Sequence, residues 1–316
     1  MAKLCPNLKR LGTTSVGFAA LSHFPGHSTR IWGKGFFQKL EQVNRASKAV
    51  LAVALASLSI NFLWTPIFAW GLGAVFLSDL PDLWVGLLML MVTPCTDWYL
   101  VFTGIAGGNV VLATALLPVN LVLQVLLLPV YLLLLAGDLV ELNVEILLSG
   151  LFWILFLPLL AAALTQYSIR QIKTERGERG SLESYQDRIS IMQIVALNLA
   201  IVFIFATEGS ILAENPALLF KLLPPILVFF AVNFLLAYQV SRWLGLAYEE
   251  WVCLTCTTLA RNSPLALAIA ASAFPQRPLI LLALVIGPLI ELPVLTIVAQ
   301  MLLQIRQKRC WKQARR

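Results

Sequence analysis

Five consecutive residues, Thr93-Pro94-Cys95-Thr96-Asp97, interrupt an otherwise apolar run from Leu83 to Ala106. The run is long enough to cross a bilayer, since about 20 residues rising about 1.5 Å each span the hydrocarbon. A proline inside it frees a carbonyl and breaks the helix. Two hydroxyls, a thiol and a carboxyl then lie near the middle of the membrane. An acid at that depth is costly and faces a cavity or a partner, and secondary transporters build their sites at midplane breaks of this kind. A second break is predicted at Arg261-Asn262-Ser263-Pro264, and an acid, Glu291, lies between Pro288 and Pro293 in the last apolar segment.

Each residue type brings a definite chemistry. Asp97 and Arg261 are expected to form one buried ion pair where the broken segments cross, because an unpaired charge at that depth costs at least about 2.5–3.5 kcal/mol. Such a pair either pins the crossing or couples a proton or an anion to opening. Glu291 is the candidate proton carrier, since a carboxyl in hydrocarbon is cheaper neutral than charged; a hydrogen-bonded structural acid is the alternative. Most buried cysteines act as small hydrophobes, but Cys95 stands among polar groups, and a thiolate is a soft ligand suited to soft ions or trivalent metalloids. Thr96, Asn262 and Ser263 are expected beside it in the substrate site. Pro94, Pro264, Pro288 and Pro293 are expected as helix breaks. Asn61 with Pro66, and Asn120, add hydrogen-bonding groups to the same cavity, while Asn198 and Asn233 suit bonds between helices. Cys253 and Cys256 form a C-x-x-C pair, a weak metal signal on its own. Trp64, Trp70, Trp84, Trp98, Trp153, Trp243 and Trp251 suit an interfacial belt.

The elements that must position these residues follow from composition. Of 316 residues, 59% are hydrophobic and 12% charged, and mean hydropathy is +0.84. A soluble domain is about 45–50% apolar and about 25% charged, so an all-α polytopic membrane protein is expected. The net charge of +7 comes from loops and tail rather than from a nucleic-acid-binding surface. Eight apolar segments are predicted, at about 48–77, 83–106, 109–136, 142–166, 189–208, 216–243, 250–274 and 277–304. Alternate connections are basic, which places both termini in the cytoplasm and leaves only Lys221 and Arg277 near the outer side. Residues 1–46 read as a basic cytoplasmic segment without a signal peptide, 47–304 as the membrane domain, 167–188 as a solvated cytoplasmic insert, and 305–316 as a basic cytoplasmic tail. No extracellular disulfide framework is expected from the five cysteines.

The membrane domain divides at the insert into 47–166 and 189–304, and the two parts repeat one another. A polar break, then glycine or proline punctuation, then a span with proline and polar groups occurs in both. Cys95 and Arg261 are 166 positions apart, Pro118 and Pro288 170. Five spans lie between, and an odd number inverts the second copy, as in many transporters.

At these residues the chain resembles the bile acid:sodium symporter superfamily and is most similar to its arsenical-resistance branch, the arsenite efflux permeases. The resemblance runs from about Asn61 to Gln300. It is carried by Thr93-Pro-Cys-Thr96, by Gly287-Pro-Leu-Ile-Glu-Leu-Pro-Val294, and by Asn262 with the small-residue run Leu265–Ala271. It implies ten spans in two inverted repeats, of which two N-terminal spans are not found here. It implies that Cys95 matches the thiol that handles arsenite or antimonite, and that Glu291 matches the acid of the last helix. Sodium-coupled relatives carry an acid and a glutamine where this chain has Thr257 and Arg261, and a fixed cation there would repel sodium. Asp97 and Trp98 stand where the metalloid branch has small residues.

The expectation is therefore a secondary active transporter in the plasma membrane, without cofactor, exporting arsenite or antimonite in exchange for protons. Its partners would be that small solute, protons and the bilayer. An organic-anion transporter with Arg261 on a carboxylate is the alternative, and a truncated, non-transporting membrane protein a third reading. No H-E-x-x-H, G-x-S-x-G or P-loop motif points to an enzyme.

Overall fold

The computed structural model describes residues 48–140 apart from Thr96 and Asp138, isolated positions between 145 and 206, and residues 216–314, with side chains as far as Gln307. The segment 1–46, the insert 167–188, Thr96 and Asn198 lie outside the described residues. So do the expected spans 142–166 and 189–208, except for isolated helical positions. Among the described residues every regular element is a helix. In chain order these are α1 (Lys48–Phe76), α2 (Pro81–Val92), α3 (Trp98–Ile105), α4 (Val110–Ala136), α5 (Pro216–Trp243), α6 (Tyr248–Leu259), α7 (Ser263–Ala273) and α8 (Pro278–Ala314). By length and composition α1, α4, α5 and α8 can each cross a membrane. The helix α8 continues through the basic tail to Ala314.

Helix α2 and its continuation α3 make one traverse interrupted at 93–97; α6 and α7 make another, interrupted at 260–262. Charged pairs fix their directions. At one end of the bundle Lys221 meets Asp79 at 2.5 Å and Arg277 meets Asp82 at 2.7 Å. At the other, Arg306 meets Glu249 at 3.4 Å and stacks on Tyr248. Arg277 and Arg306 bracket α8, so the ends are about 40 Å apart at 1.5 Å per residue. The traverse α2–α3 starts at the Asp82 end; α6–α7 starts at the Glu249 end and runs the opposite way. Lys221 and Arg277 thus share an end, with Arg306 opposite. These exposed pairs mark the ends and contribute little to stability.

The ends of the helices are written in the sequence. Pro81 and Pro278 open α2 and α8, where a missing N–H costs nothing. Gly107 turns the chain between α3 and α4 at φ +71°, which a side chain would strain, and Asn109 caps α4 by accepting from the Leu112 N–H at 3.0 Å. Every residue of α2 from Leu83 to Val92 is buried, so this half-helix forms the axis of the bundle. Helices α1, α4 and α5 instead turn apolar residues such as Leu63, Ile67, Val111, Leu134 and Leu235 outward, as a lipid-facing layer does.

Three expectations are corrected. Pro288 and Pro293 do not break their helix: α8 is continuous through both. Each removes one backbone hydrogen bond, but groups on neighbouring helices can satisfy the freed carbonyl, so the helix need not end there. Trp84 and Trp251 are buried rather than interfacial. The Trp84 ring lies over Gly73, where an added Cβ would sit 1.9 Å from it. Among the described residues Asn233 does not bond across helices; its amide donates to the Phe229 carbonyl of its own helix at 3.0 Å.

Close approach of α2 and α8 rests on a missing side chain. A Cβ on Gly86 would lie 2.6 Å from Ala283 Cβ and 2.8 Å from the Ile280 carbonyl oxygen, whereas one on Gly71 meets nothing within 4 Å. Alanine favours helix over glycine by about 1 kcal/mol, but overpacking costs about 1–3 kcal/mol. Gly86→Ala is therefore expected to lower the melting temperature in detergent while Gly71→Ala raises it. Equal shifts would show that the α2–α8 contact is slack.

Candidate functional site

The two interruptions meet back to back. Thr93 and Ala260 are extended rather than helical, and Pro94 faces Arg261 as an antiparallel bridge. The Cys95 N–H donates to the Ala260 carbonyl at 2.9 Å, and the Asn262 N–H donates to the Thr93 carbonyl at 2.7 Å. Proline at 94 supplies no N–H and asks for no partner there. In a bilayer every unpaired backbone group costs several kcal/mol, so each broken traverse satisfies the other. Thr93 closes the end of α2, its hydroxyl donating to the carbonyls of Met89 at 3.0 Å and Leu90 at 3.2 Å.

Helices α3 and α7 both begin at this crossing, and each is capped by a residue singled out in the sequence. Buried Cys95, two residues ahead of the N-cap Asp97, turns its Sγ to the N–H groups of Trp98 at 3.2 Å and Asp97 at 3.4 Å and so accepts from the helix start as a capping oxygen would. Asn262 Oδ1 accepts from the Leu265 N–H at 3.2 Å. The positive ends of two helix dipoles therefore converge on the middle of the bundle. Pro264 sits in the first turn of α7, where its ring fits the helix and starts it. Ser263 donates to the Leu284 carbonyl at 2.9 Å, the group that Pro288 leaves without its helical donor. Gly287 admits this contact: a Cβ there would lie 2.7 Å from Ser263 Oγ and 2.6 Å from Leu90 Cδ1.

Arg261 is 1% exposed, and its partner is not the expected one. Asp97 is exposed and forms no ion pair with Arg261. The physical reason is local: Cys95 already caps α3, so the Asp97 side chain is free to turn away. The guanidinium donates instead to the Met91 carbonyl at 2.8 Å, to the Thr258 carbonyl, and to Asn61 Oδ1 at 3.3 Å. Its carbon lies 4.8 Å from the centre of the Phe229 ring. The acid that does reach Arg261 is Glu291, whose Oε1 accepts the Arg261 backbone N–H at 2.8 Å. Cys95, Arg261, Asn262, Ser263 and Glu291 are thus brought to one crossing, and Asp97 stands apart from it.

Asn61 lies in a π-helical turn, Ile60–Trp64, a distortion that often accompanies functional positions. It donates to the Thr257 carbonyl at 3.1 Å, and Ser57 one turn earlier donates to the Thr257 hydroxyl at 3.2 Å. The Phe62 carbonyl, deprived of a helical donor by Pro66, accepts from the Tyr131 hydroxyl at 2.7 Å. Ser57 and Phe229 escaped the sequence reading, and Thr257 entered it only as a departure from the sodium-coupled pattern; a small hydroxyl residue four positions before Asn61 and another four before Arg261 were the available signals. Asn120 is fully buried, as is Gln124 one turn further along α4, a residue with no motif around it; Asn120 Oδ1 and both polar atoms of the Gln124 side chain have no partner among the described residues.

A model described as the Sodium Bile acid symporter family matches residues 34–215. The chain belongs to that family. Among curated proteins, the arsenical-resistance protein Acr3 of Corynebacterium glutamicum is 25% identical over 257 residues, covering 76% of this chain and 66% of the relative. An uncharacterized transporter of Synechocystis is 27% identical over 217 residues, 68% of this chain and 56% of the relative. The chain therefore spans a little under two thirds of the length of the one and just over half of the other.

With four long apolar helices, this member of the bile acid symporter family is a multi-pass membrane protein. The family match covers the first interruption and ends before the second. Ser263 gives a direct test of how the second is held. Ser263→Ala strands the Leu284 carbonyl, at a cost of about 1–3 kcal/mol for a buried unsatisfied group, or about 0.6–2 kcal/mol on membrane-protein scales. A fall in melting temperature is expected, and it should be smaller when Pro288→Ala is added, since α8 then supplies its own donor. Additive losses would show that the two residues are independent.

Proposed function

We propose that this protein is a secondary active transporter that exports arsenite or antimonite in exchange for protons. The observation that carries the reading is the crossing, where one thiol, one acid and two helix N-termini meet inside an apolar bundle. The name of the Corynebacterium relative supports the substrate class. Undissociated arsenite reaches Cys95 as a trihydroxide. The sulfur forms a bond to arsenic, one arsenic–oxygen bond breaks, and the thiol proton leaves with the hydroxide as water. The soft ligand suits the trivalent centre, and the reverse step releases the solute.

Glu291 is the proposed proton carrier. Its carboxylate ties α8 to the crossing through the Arg261 N–H, and protonation weakens that charge-assisted bond. The two traverses and α8 would then shift against the other helices, opening the site to the opposite side. The described helices repeat as unbroken, broken, unbroken in opposite directions, which supports two inverted repeats; with the expected spans 142–166 and 189–208, which lie outside the described residues, the chain would hold about eight spans against ten in the family. Residues 47–304 would form the membrane domain, and both termini would face the cytoplasm of the plasma membrane. The test is arsenite accumulation in cells lacking their own efflux pump. Expression of the chain should lower it, and equal accumulation with and without the protein would overturn the reading.

A second reading is favoured by the same two helix N-termini. An organic anion could place a carboxylate there, between Cys95 and Asn262 rather than on Arg261, whose donors are largely taken by carbonyls. Uptake of a carboxylate solute that survives Cys95→Ser would select it.

A further inference from the structure

The guanidinium of Arg261 is buried and carries a full charge, yet among the described residues its hydrogen-bond acceptors are all oxygens of uncharged groups. Two are carbonyls in the last turns of half-helices, Met91 in α2 and Thr258 in α6; the third is Asn61 Oδ1. Carbonyls in the last turn of a helix lack intrahelical donors and stand at the negative end of its dipole. Half-helix C-terminal ends and unwound carbonyls are the oxygen set with which transporters hold a sodium ion. The ring face of Phe229 closes another side at 4.8 Å, and it too favours a cation. The backbone N–H of the same residue holds the Glu291 carboxylate nearby.

We propose that Arg261 is a built-in cation that permanently fills a monovalent-cation site at the crossing. The side chain does what a bound ion would do: it neutralises two helix ends and an amide oxygen contributed by α1, α2 and α6. Being tethered, it cannot be exchanged with the ion gradient. The crossing is then independent of sodium, and removing the side chain leaves an oxygen-lined hole that accepts a free cation. The inference concerns what holds the crossing and stands whichever solute the protein carries.

The experiment measures thermal unfolding of the purified full chain in detergent, with sodium chloride replacing choline chloride at constant ionic strength. The wild type is expected to show no saturable sodium effect. Arg261→Ala is expected to melt lower and to recover by about 3 °C or more with sodium or with low-millimolar guanidinium, saturably, as a ligand specific to the folded state must act. Should Arg261→Ala not fold, Arg261→Gln and Arg261→Lys carry the test: the lysine variant stays indifferent to sodium and the glutamine variant gains a response. A saturable sodium response in the wild type would overturn the proposal. So would neutral variants that neither sodium nor guanidinium restores, or that already melt at the wild-type temperature. Transport plays no part in these readouts, so failure of the metalloid reading leaves them intact.

Discussion

Cells producing Cys95→Ser are expected to accumulate as much arsenite as cells without the protein, while the variant reaches the membrane in wild-type amounts. Serine is a good helix cap and can accept from the Asp97 and Trp98 N–H groups that now point at Sγ. The backbone bond from residue 95 to the Ala260 carbonyl is untouched. What changes is the ligand: a hard hydroxyl replaces a soft sulfur. A loss of only 1.4 kcal/mol in binding lowers affinity about tenfold, and export should fall by at least that factor. Cys253 and Cys256 provide the control. They are buried within α6, so their serine variants should retain export if they fold. Full export by Cys95→Ser at normal abundance would remove the thiol from the mechanism and turn attention to the anion reading.

Glu291 separates structure from coupling through two substitutions. Glu291→Gln keeps an oxygen that can accept the Arg261 N–H, but it can neither take up nor release a proton. Glu291→Ala removes the acceptor and strands a buried N–H at a cost of about 1–3 kcal/mol. The alanine variant should therefore melt below the glutamine variant. In everted vesicles with an imposed pH gradient, both should lose gradient-driven solute movement. Glu291→Gln should still allow solute-for-solute exchange, since the crossing and Cys95 remain in place. Gradient-driven transport by Glu291→Gln at the wild-type rate would exclude this acid as the carrier.

How much of this was legible in the chain can be judged residue by residue. Pro94 and Pro264 announced two breaks because proline rules are local: a missing N–H and a fixed φ act within one turn. The same rules misled at Pro288 and Pro293. Whether a proline breaks a helix depends on what stands beside it, and Ser263, distant in sequence, supplies the donor for the Leu284 carbonyl. The charges divided in the same way. That Arg261 must be compensated followed from the cost of charge in hydrocarbon, but the choice of compensator did not. Asp97, adjacent to the first break, was the obvious candidate, and the structure uses carbonyls, Asn61 and Glu291 instead.

Composition and hydropathy by themselves determined a multi-pass helical protein, the prolines at 94 and 264 marked the two places where its helices break, and the cost of charge in hydrocarbon required that Arg261 and Glu291 find partners. These are consequences of a solvent that leaves no backbone group unpaired, and they act along the chain. The tertiary structure alone decided which distant polar groups meet: the Cys95 N–H on the Ala260 carbonyl, the Arg261 guanidinium on the Met91 carbonyl and Asn61, and Glu291 on the Arg261 N–H. Those pairings join positions between 30 and 200 residues apart, and no local preference encodes them. They follow from which helix ends pack together, and the glycines at 86 and 287 set how closely.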